Sequence, residues 1–301
     1  MLNFIRFDIK KLMKMTAFWI FLLLMLSIPL LASVLGYSGD VSYKEYSENY
    51  DRLYETTLEN KKKLENGAGG GINIVVSAQP SDLEPKMDEA SYEKYRLTEV
   101  ENARFDKSTA TQLVACSSFS WIIFAIFIAN DFSTGYIKNI LSIKGARSKY
   151  VLSKIWAAVA STCVSFIFAM LYGLGMIFTS KQSILATDWK KLLIVFVLAM
   201  IFQLIAMVTT VLIILITQSR TGTIVIGTLL AMGILRQIFA LFSDWLNFDL
   251  SKILYSAQIQ TIDEVLSKQT IIVVVYGLVL VVVFSVLNLL LVRKMDLKST
   301  E

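Results

Sequence analysis

Apolar runs alternate along this chain with short polar segments rich in Lys and Arg. Crossing the hydrocarbon core takes about 20 mostly apolar residues in a helix. Such runs lie at 16–36, 112–129, 155–178, 191–217, 222–242 and 270–292. They predict an all-α polytopic membrane protein with six transmembrane helices. Within the first, Ala17–Leu35 is interrupted only by Ser27, Pro29, Ala32 and Ser33. Its apolar part exceeds the roughly 7–15 residues of a signal peptide and further spans follow, so it reads as an uncleaved first span.

The segments between the runs have patterns of their own. Residues 1–15 place Leu2, Ile5, Ile9, Leu12 and Met13 on one side, flanked by Arg6, Lys10, Lys11 and Lys14. This predicts a basic amphipathic helix in the membrane interface. Residues 37–111 form the one long polar region, a small, mainly helical insert between the first two spans. A stripe of Tyr43, Tyr46, Tyr50, Leu53, Tyr54 and Leu58 marks one helix over 41–64, and a second is expected over about 88–106. Between them Gly67–Gly71 breaks the pattern, Ile72–Val76 has strand character, and Pro80 and Pro85 punctuate a loop. Residues 243–269 are too short for a span but apolar enough for re-entrant or interfacial helices, and 293–301 is a basic tail.

Between spans two and three, residues 130–154 carry Lys138, Lys144, Arg147, Lys149 and Lys154 against a single acid, Asp131. Phe132, Tyr136, Ile137, Ile140 and Leu141 recur at the spacing of one helical face, with Ser133, Thr134, Lys138 and Asn139 turned away. Asp131 is placed to cap this helix and Gly145 to end it in a left-handed conformation. Two readings of the helix stand: its apolar face enters a cleft on a cytosolic partner, or it lies on the bilayer surface.

Charge orients the spans. Segments 1–15, 130–155, 218–221 and 293–301 hold 13 Lys/Arg against 4 acids. This excess marks the cytoplasmic side, so both termini are expected in the cytosol and the 37–111 insert outside. The composition, 55% hydrophobic with net charge +5, a mean hydropathy of +0.60 and pI near 9.0, records the same bias. It does not signal nucleic acid, since no basic run interleaved with aromatics stands apart from the spans.

The sequence has no histidine, which excludes Ser-His-Asp and Cys-His catalysis, helical zinc-protease motifs and imidazole metal ligation. Cys116 and Cys163 are its two cysteines. On this topology they fall in opposite leaflets, too far apart for a bridge needing α-carbons within about 7 Å. Gly222–Thr228 (GTIVIGT) has the glycines of a phosphate loop but no lysine after the second, and reads as small residues for helix packing. No ATP-hydrolysing motif is present, and no pair of acids sits in mid-span. Gln203, Thr209, Thr210, Arg236, Tyr276 and Asn288 are the polar residues inside spans that stand as translocation-pathway candidates. Arg236 falls roughly 22 Å along span five at 1.5 Å per residue, placed to snorkel outward or to meet Asp263 or Glu264.

With these residues assembled, the chain resembles an ABC-2 type transporter permease, the membrane subunit of a bacterial multidrug or peptide exporter. The most specific likeness is Asp131-Phe132-Ser133-Thr134-Gly135-Tyr136-Ile137-Lys138-Asn139-Ile140, followed by Gly145-Ala146-Arg147. It is similar to the family's acidic–x–x–x–Gly–x–Ile–Lys–Asn loop and following Gly–x–Arg, with Asp131 where Glu is more usual. The resemblance implies that this loop is a coupling helix docking on a separate ATP-binding subunit. Asp131, Phe132, Gly135, Tyr136, Ile137, Lys138, Ile140, Leu141 and Arg147 would be its coupling residues. It implies a permease that is no enzyme and binds no cofactor itself, ATP and Mg residing on the partner chain. A second permease subunit, membrane lipid and a peptide, antibiotic or amphipathic substrate complete the expected partners, in the bacterial cytoplasmic membrane. The rival reading is a membrane sensor or immunity protein that binds an external ligand through residues 37–111 and transports nothing.

Overall fold

A computed structural model of the protein describes residues 1–36, 42–65, 85–102, 104–141, 143, 145–180, 187–234 and 268–294. Every regular element among them is helical. In chain order they are α1 (Leu2–Lys14), α2 (Thr16–Gly36), α3 (Tyr43–Glu65), α4 (Glu89–Asn102), α5 (Phe105–Ser133), α6 (Tyr136–Leu141), α7 (Ala146–Ser180), α8 (Trp189–Thr217), α9 (Arg220–Ala231) and α10 (Lys268–Lys294).

Four of these are long and apolar enough to cross a membrane: Phe105–Ser133, Ala146–Phe178, Trp189–Thr217 and Thr270–Val292. A fifth crossing follows if α1 and the first part of α2, bent by 56° at their junction, count as one span. The chain is therefore a multi-pass helical membrane protein. Of the run expected at 222–242, the described part is the shorter helix α9, ended by a turn in which Gly233 takes φ +71. Arg236 and residues 243–267 of the segment 243–269 lie outside the described residues, as do Ile72–Val76, Gly67–Gly71, Pro80 and the tail from 295, while 268 and 269 already belong to α10.

α5 is the central helix and packs against α2, α6, α7, α8 and α9. Its sequence explains that place. Small and hydroxylic residues are spread along it, so it offers close approach on several sides. Ser117 and Ser120 are buried and return their hydroxyl protons to backbone carbonyls of their own helix at 2.8 and 2.5 Å. Gln112 donates to the Met25 carbonyl, fastening α5 to α2. α9 crosses at Gly227, where an added Cβ would stand 2.5 Å from Ala125 Cβ and 3.2 Å from the Trp121 carbonyl oxygen. α10 leans on α8 and α7 and leaves a long apolar face, including Ile272, Val275, Val282 and Val286, turned outward.

The second crossing is longer than its apolar run. It starts at Phe105, where the polar insert was expected to continue, and Phe105, Asp106, Ser108 and Thr109 are already buried. The reason is contact rather than composition. Gly173 on α7 lets Phe105 and Thr109 approach closely, which covers a polar turn with protein instead of lipid.

The insert holds α3 and α4 together through tyrosines. Tyr46 and Tyr92 stack at 4.4 Å between ring centroids with 20° between planes, and Tyr43 closes on Tyr92 at 5.8 Å. Lys86 reaches Asp51 at 2.8 Å beside the Tyr50 ring. The stripe foreseen on the first helix is thus its packing face at Tyr43, Tyr46 and Tyr50, while Leu53 and Tyr54 stay exposed.

Candidate functional site

The segment expected to form one helix capped by Asp131 folds differently. α5 runs on through Ser133, and Thr134 donates its hydroxyl to the Asn130 carbonyl at 2.8 Å, covering one of the helix's last acceptors. Gly135, at φ +69, turns the chain in a conformation that favours glycine. α6 follows as a short separate helix. Gly145, at φ +86, then turns the chain into α7. Asp131 caps no backbone N–H among the described residues, because it sits two residues before the end of α5 with its carboxylate inside the bundle.

That carboxylate belongs to a buried charge network drawn from three helices. Lys154 on α7 reaches Asp131 Oδ2 at 2.5 Å and Asp8 Oδ1 of α1 at 2.7 Å. Ser153 donates to the other Asp8 oxygen at 2.5 Å, and Tyr150 donates to Asp131 Oδ2 at 3.3 Å. Lys11 of α1 pairs with Asp131 Oδ1. Asp8, Asp131 and Lys154 are fully buried, and the Lys11 side chain is 25% exposed. Two carboxylates and two ammonium groups cancel formally, which is the condition for keeping charges out of water: a buried ion without a partner costs several kcal/mol.

Aromatic rings close the network. The Lys154 ammonium lies 4.4 Å from the Phe127 centroid and 4.8 Å from that of Tyr150, and Lys11 lies 5.6 Å from the Tyr136 centroid. These distances are within reach of cation–π attraction. Tyr136 also stacks on Phe7 at 5.1 Å. Burial, with Asp8 and Asp131 nearby, pushes the Tyr136 phenol well above its ordinary range, so it stays a neutral ring beside the charges.

The network anchors α6 indirectly. Ile137 and Ile140 are 2% and 6% exposed within the chain's own core, and Phe132 and Tyr136 pack against the same cluster. Of the apolar face expected to enter a partner, Ile137 and Ile140 are therefore spent inside this chain, and Phe132 and Tyr136 are partly so. The part of the turn and of α6 that is exposed is polar, at Ser133, Thr134 and Asn139, with Ile143 just beyond it 57% exposed. The side chains of Lys138 and Leu141 lie outside the described residues. Arg147 is not at this exposed face; it donates to the Val292 carbonyl at 3.1 Å, at the end of α10. Between α1 and the α5–α6 turn opens a cavity of about 730 Å³, lined on one side by Lys10, Lys11 and Lys14.

The pathway candidates are not gathered there. Gln203 is fully buried and donates to Ser117 at 3.4 Å across the α8–α5 contact. Asn288 is fully buried and donates to the Val208 carbonyl at 2.7 Å across the α10–α8 contact. Gln203 Oε1, Asn288 Oδ1 and Thr209 Oγ1 have no hydrogen-bond partner among the described residues. Thr210 bonds to its own helix at 2.7 Å, and Tyr276 is half-buried on α10. The two amides thus mark two different helix contacts and do not converge on one cavity wall.

Sequence reasoning missed Asp8, Lys11, Ser153, Tyr150 and Lys154, counting both lysines only as cytoplasmic charge. A signal was present. Asp8 falls on the stripe Ile5, Ile9, Leu12, and Lys154 on the stripe Tyr150, Val151, Ala157, Ala158, so each charge points where its helix buries its apolar face. Among the described residues no group of three or more acids and cysteines gathers that could hold a metal ion. Compared with protein-family models, curated proteins and solved structures, the chain gives no match.

Proposed function

We propose that this chain is the permease subunit of an ATP-binding-cassette exporter, with ATP and Mg bound by a separate ATPase subunit. A second permease subunit would complete the pathway for a peptide, antibiotic or amphipathic compound. In this reading the chain crosses the bacterial cytoplasmic membrane six times, with both termini and α6 in the cytosol. The observation that carries it is the fastening of the short helix α6 to α1, α5 and α7. α6 is gripped by Phe7 through Tyr136 and by the core through Ile137 and Ile140, directly beside the ion network joining α1, α5 and α7. A displacement imposed on α6 would pass to those helices without a slack link, which is what coupling to ATP hydrolysis needs.

The docking surface in this proposal is the exposed face of Thr134, Asn139 and Ile143, in place of the apolar face foreseen from the sequence. Asn139→Arg combined with Ile143→Asp, both outside the core, tests it. The double variant should keep its thermal stability and lose at least about tenfold in association with the ATPase that co-purifies with the wild-type chain, about 1.4 kcal/mol. Unchanged association, or the lack of any co-purifying ATPase, would sink the proposal.

One observation favours the sensor reading: the insert leaves Leu53, Tyr54, Tyr95 and Leu97 exposed around its tyrosine packing, and exposed apolar groups of this kind suit ligand capture. Substrate-stimulated ATP turnover in liposomes separates the two. An exporter requires it, and a sensor lacks it.

A further inference from the structure

We propose that the cavity between α1 and the α5–α6 turn binds the headgroup of an anionic phospholipid. This rests on the helices lying in a membrane and needs no transport, although Thr134 and Asn139 of the proposed docking face also line the cavity. The cavity has about 730 Å³ of space, enough for a phosphate-bearing headgroup and its glycerol. Lys10, Lys11 and Lys14 line it, and among the described residues no carboxylate does. Lys11 is committed to Asp131 behind the wall. Lys10 and Lys14 are exposed and make no ion pair among the described residues. The cavity therefore presents two uncompensated positive charges.

The remaining walls select a lipid over a free anion or an acidic protein segment. Asn130, Thr134 and Asn139 add neutral polar groups, while Phe7, Met15 and Tyr136 supply an apolar side, and Phe7 is 47% exposed with Leu2 beyond it on α1 at 77%. Apolar surface next to two lysines matches a molecule with a charged head and a hydrocarbon body. Depth agrees. The cavity reaches Met15, where the chain bends by 56° from the amphipathic α1 into the apolar α2. At that bend the indole of Trp19, itself partly exposed, donates to the Met13 carbonyl at 2.6 Å. A tryptophan at such a bend belongs at headgroup level.

The test is native mass spectrometry of the full chain in detergent, titrated with phosphatidylglycerol or with phosphatidylcholine of the same acyl chains. Phosphatidylglycerol should be retained over phosphatidylcholine. Lys10→Gln with Lys14→Gln should weaken its retention on the order of 30-fold, about fivefold for each lysine at an anionic surface. Lys149→Gln, an exposed lysine away from the cavity, should leave retention unchanged. Equal retention of the two lipids would overturn the proposal, as would equal losses in the two variants, which would mean diffuse adhesion. Displacement of the lipid by millimolar inorganic phosphate would replace it with a free-anion site. Loss of ATPase association by the double variant with lipid retention intact would assign the cavity to a protein partner instead.

Discussion

Lys154 Nζ lies 2.7 Å from Asp8 Oδ1 although 146 residues separate the two in sequence. Both are fully buried, and Asp131 Oδ2 lies 2.5 Å from the same ammonium. Lys154→Met therefore leaves two carboxylates facing only Lys11. It should destabilise the protein by about 3–5 kcal/mol, the cost of breaking a buried pair. Adding Asp8→Asn restores formal neutrality through the remaining Lys11–Asp131 pair and should recover more than half of that loss. Thermal unfolding in detergent of Lys154→Met, Asp8→Asn and the double variant, beside the unaltered chain, measures the coupling. Additive losses would show that Asp8 and Lys154 do not act as a pair.

Tyr136→Ala with Ile140→Ala removes one side chain of this chain's own core, Ile140, and a half-buried ring packed against it. Truncating a buried Ile or aromatic residue costs about 2–5 kcal/mol. The double variant should unfold at lower temperature even in the absence of any partner. A variant of normal stability with impaired ATPase association would return the apolar face to the docking surface.

Gly227 is the close contact between α9 and α5, with the Trp121 carbonyl 3.2 Å from the place of a Cβ. Backbone gives way less readily than a side-chain end. Gly227→Val should cost about 1–3 kcal/mol through overpacking, whereas Gly222→Val, whose nearest neighbours are Ser219 and Thr217 side chains at 3.4–3.7 Å, should cost less. Unfolding midpoints of the two variants, compared directly, check the order.

The proposed orientation predicts a labelling pattern. In a background lacking Cys116 and Cys163, single cysteines at positions 47, 148 and 299 should react with an impermeant reagent in intact cells only at position 47. Position 47 lies on α3 of the insert and position 148 on the first turn of α7. Labelling at 148 from outside would reverse the topology and remove α6 from the cytosol.

The positions of the long helices were legible because an apolar run is a local property: no other part of the chain is needed to make 191–217 unfavourable in water. The turn at Gly145 was legible for a similar reason, since glycine relieves a local backbone restriction. What α6 does with its apolar face was not. Periodicity shows that Ile137 and Ile140 share a side, but it does not say which apolar surface covers that side. The tertiary structure chose the chain's own core. The ion network was legible only as a pair of anomalies, Asp8 and Lys154 each lying on an apolar stripe. A charge on a stripe announces that a partner exists somewhere in the bundle. Which partner it meets depends on the register of α1 against α7 and of α7 against α5, set by packing between segments far apart in sequence, and that only the folded chain decided.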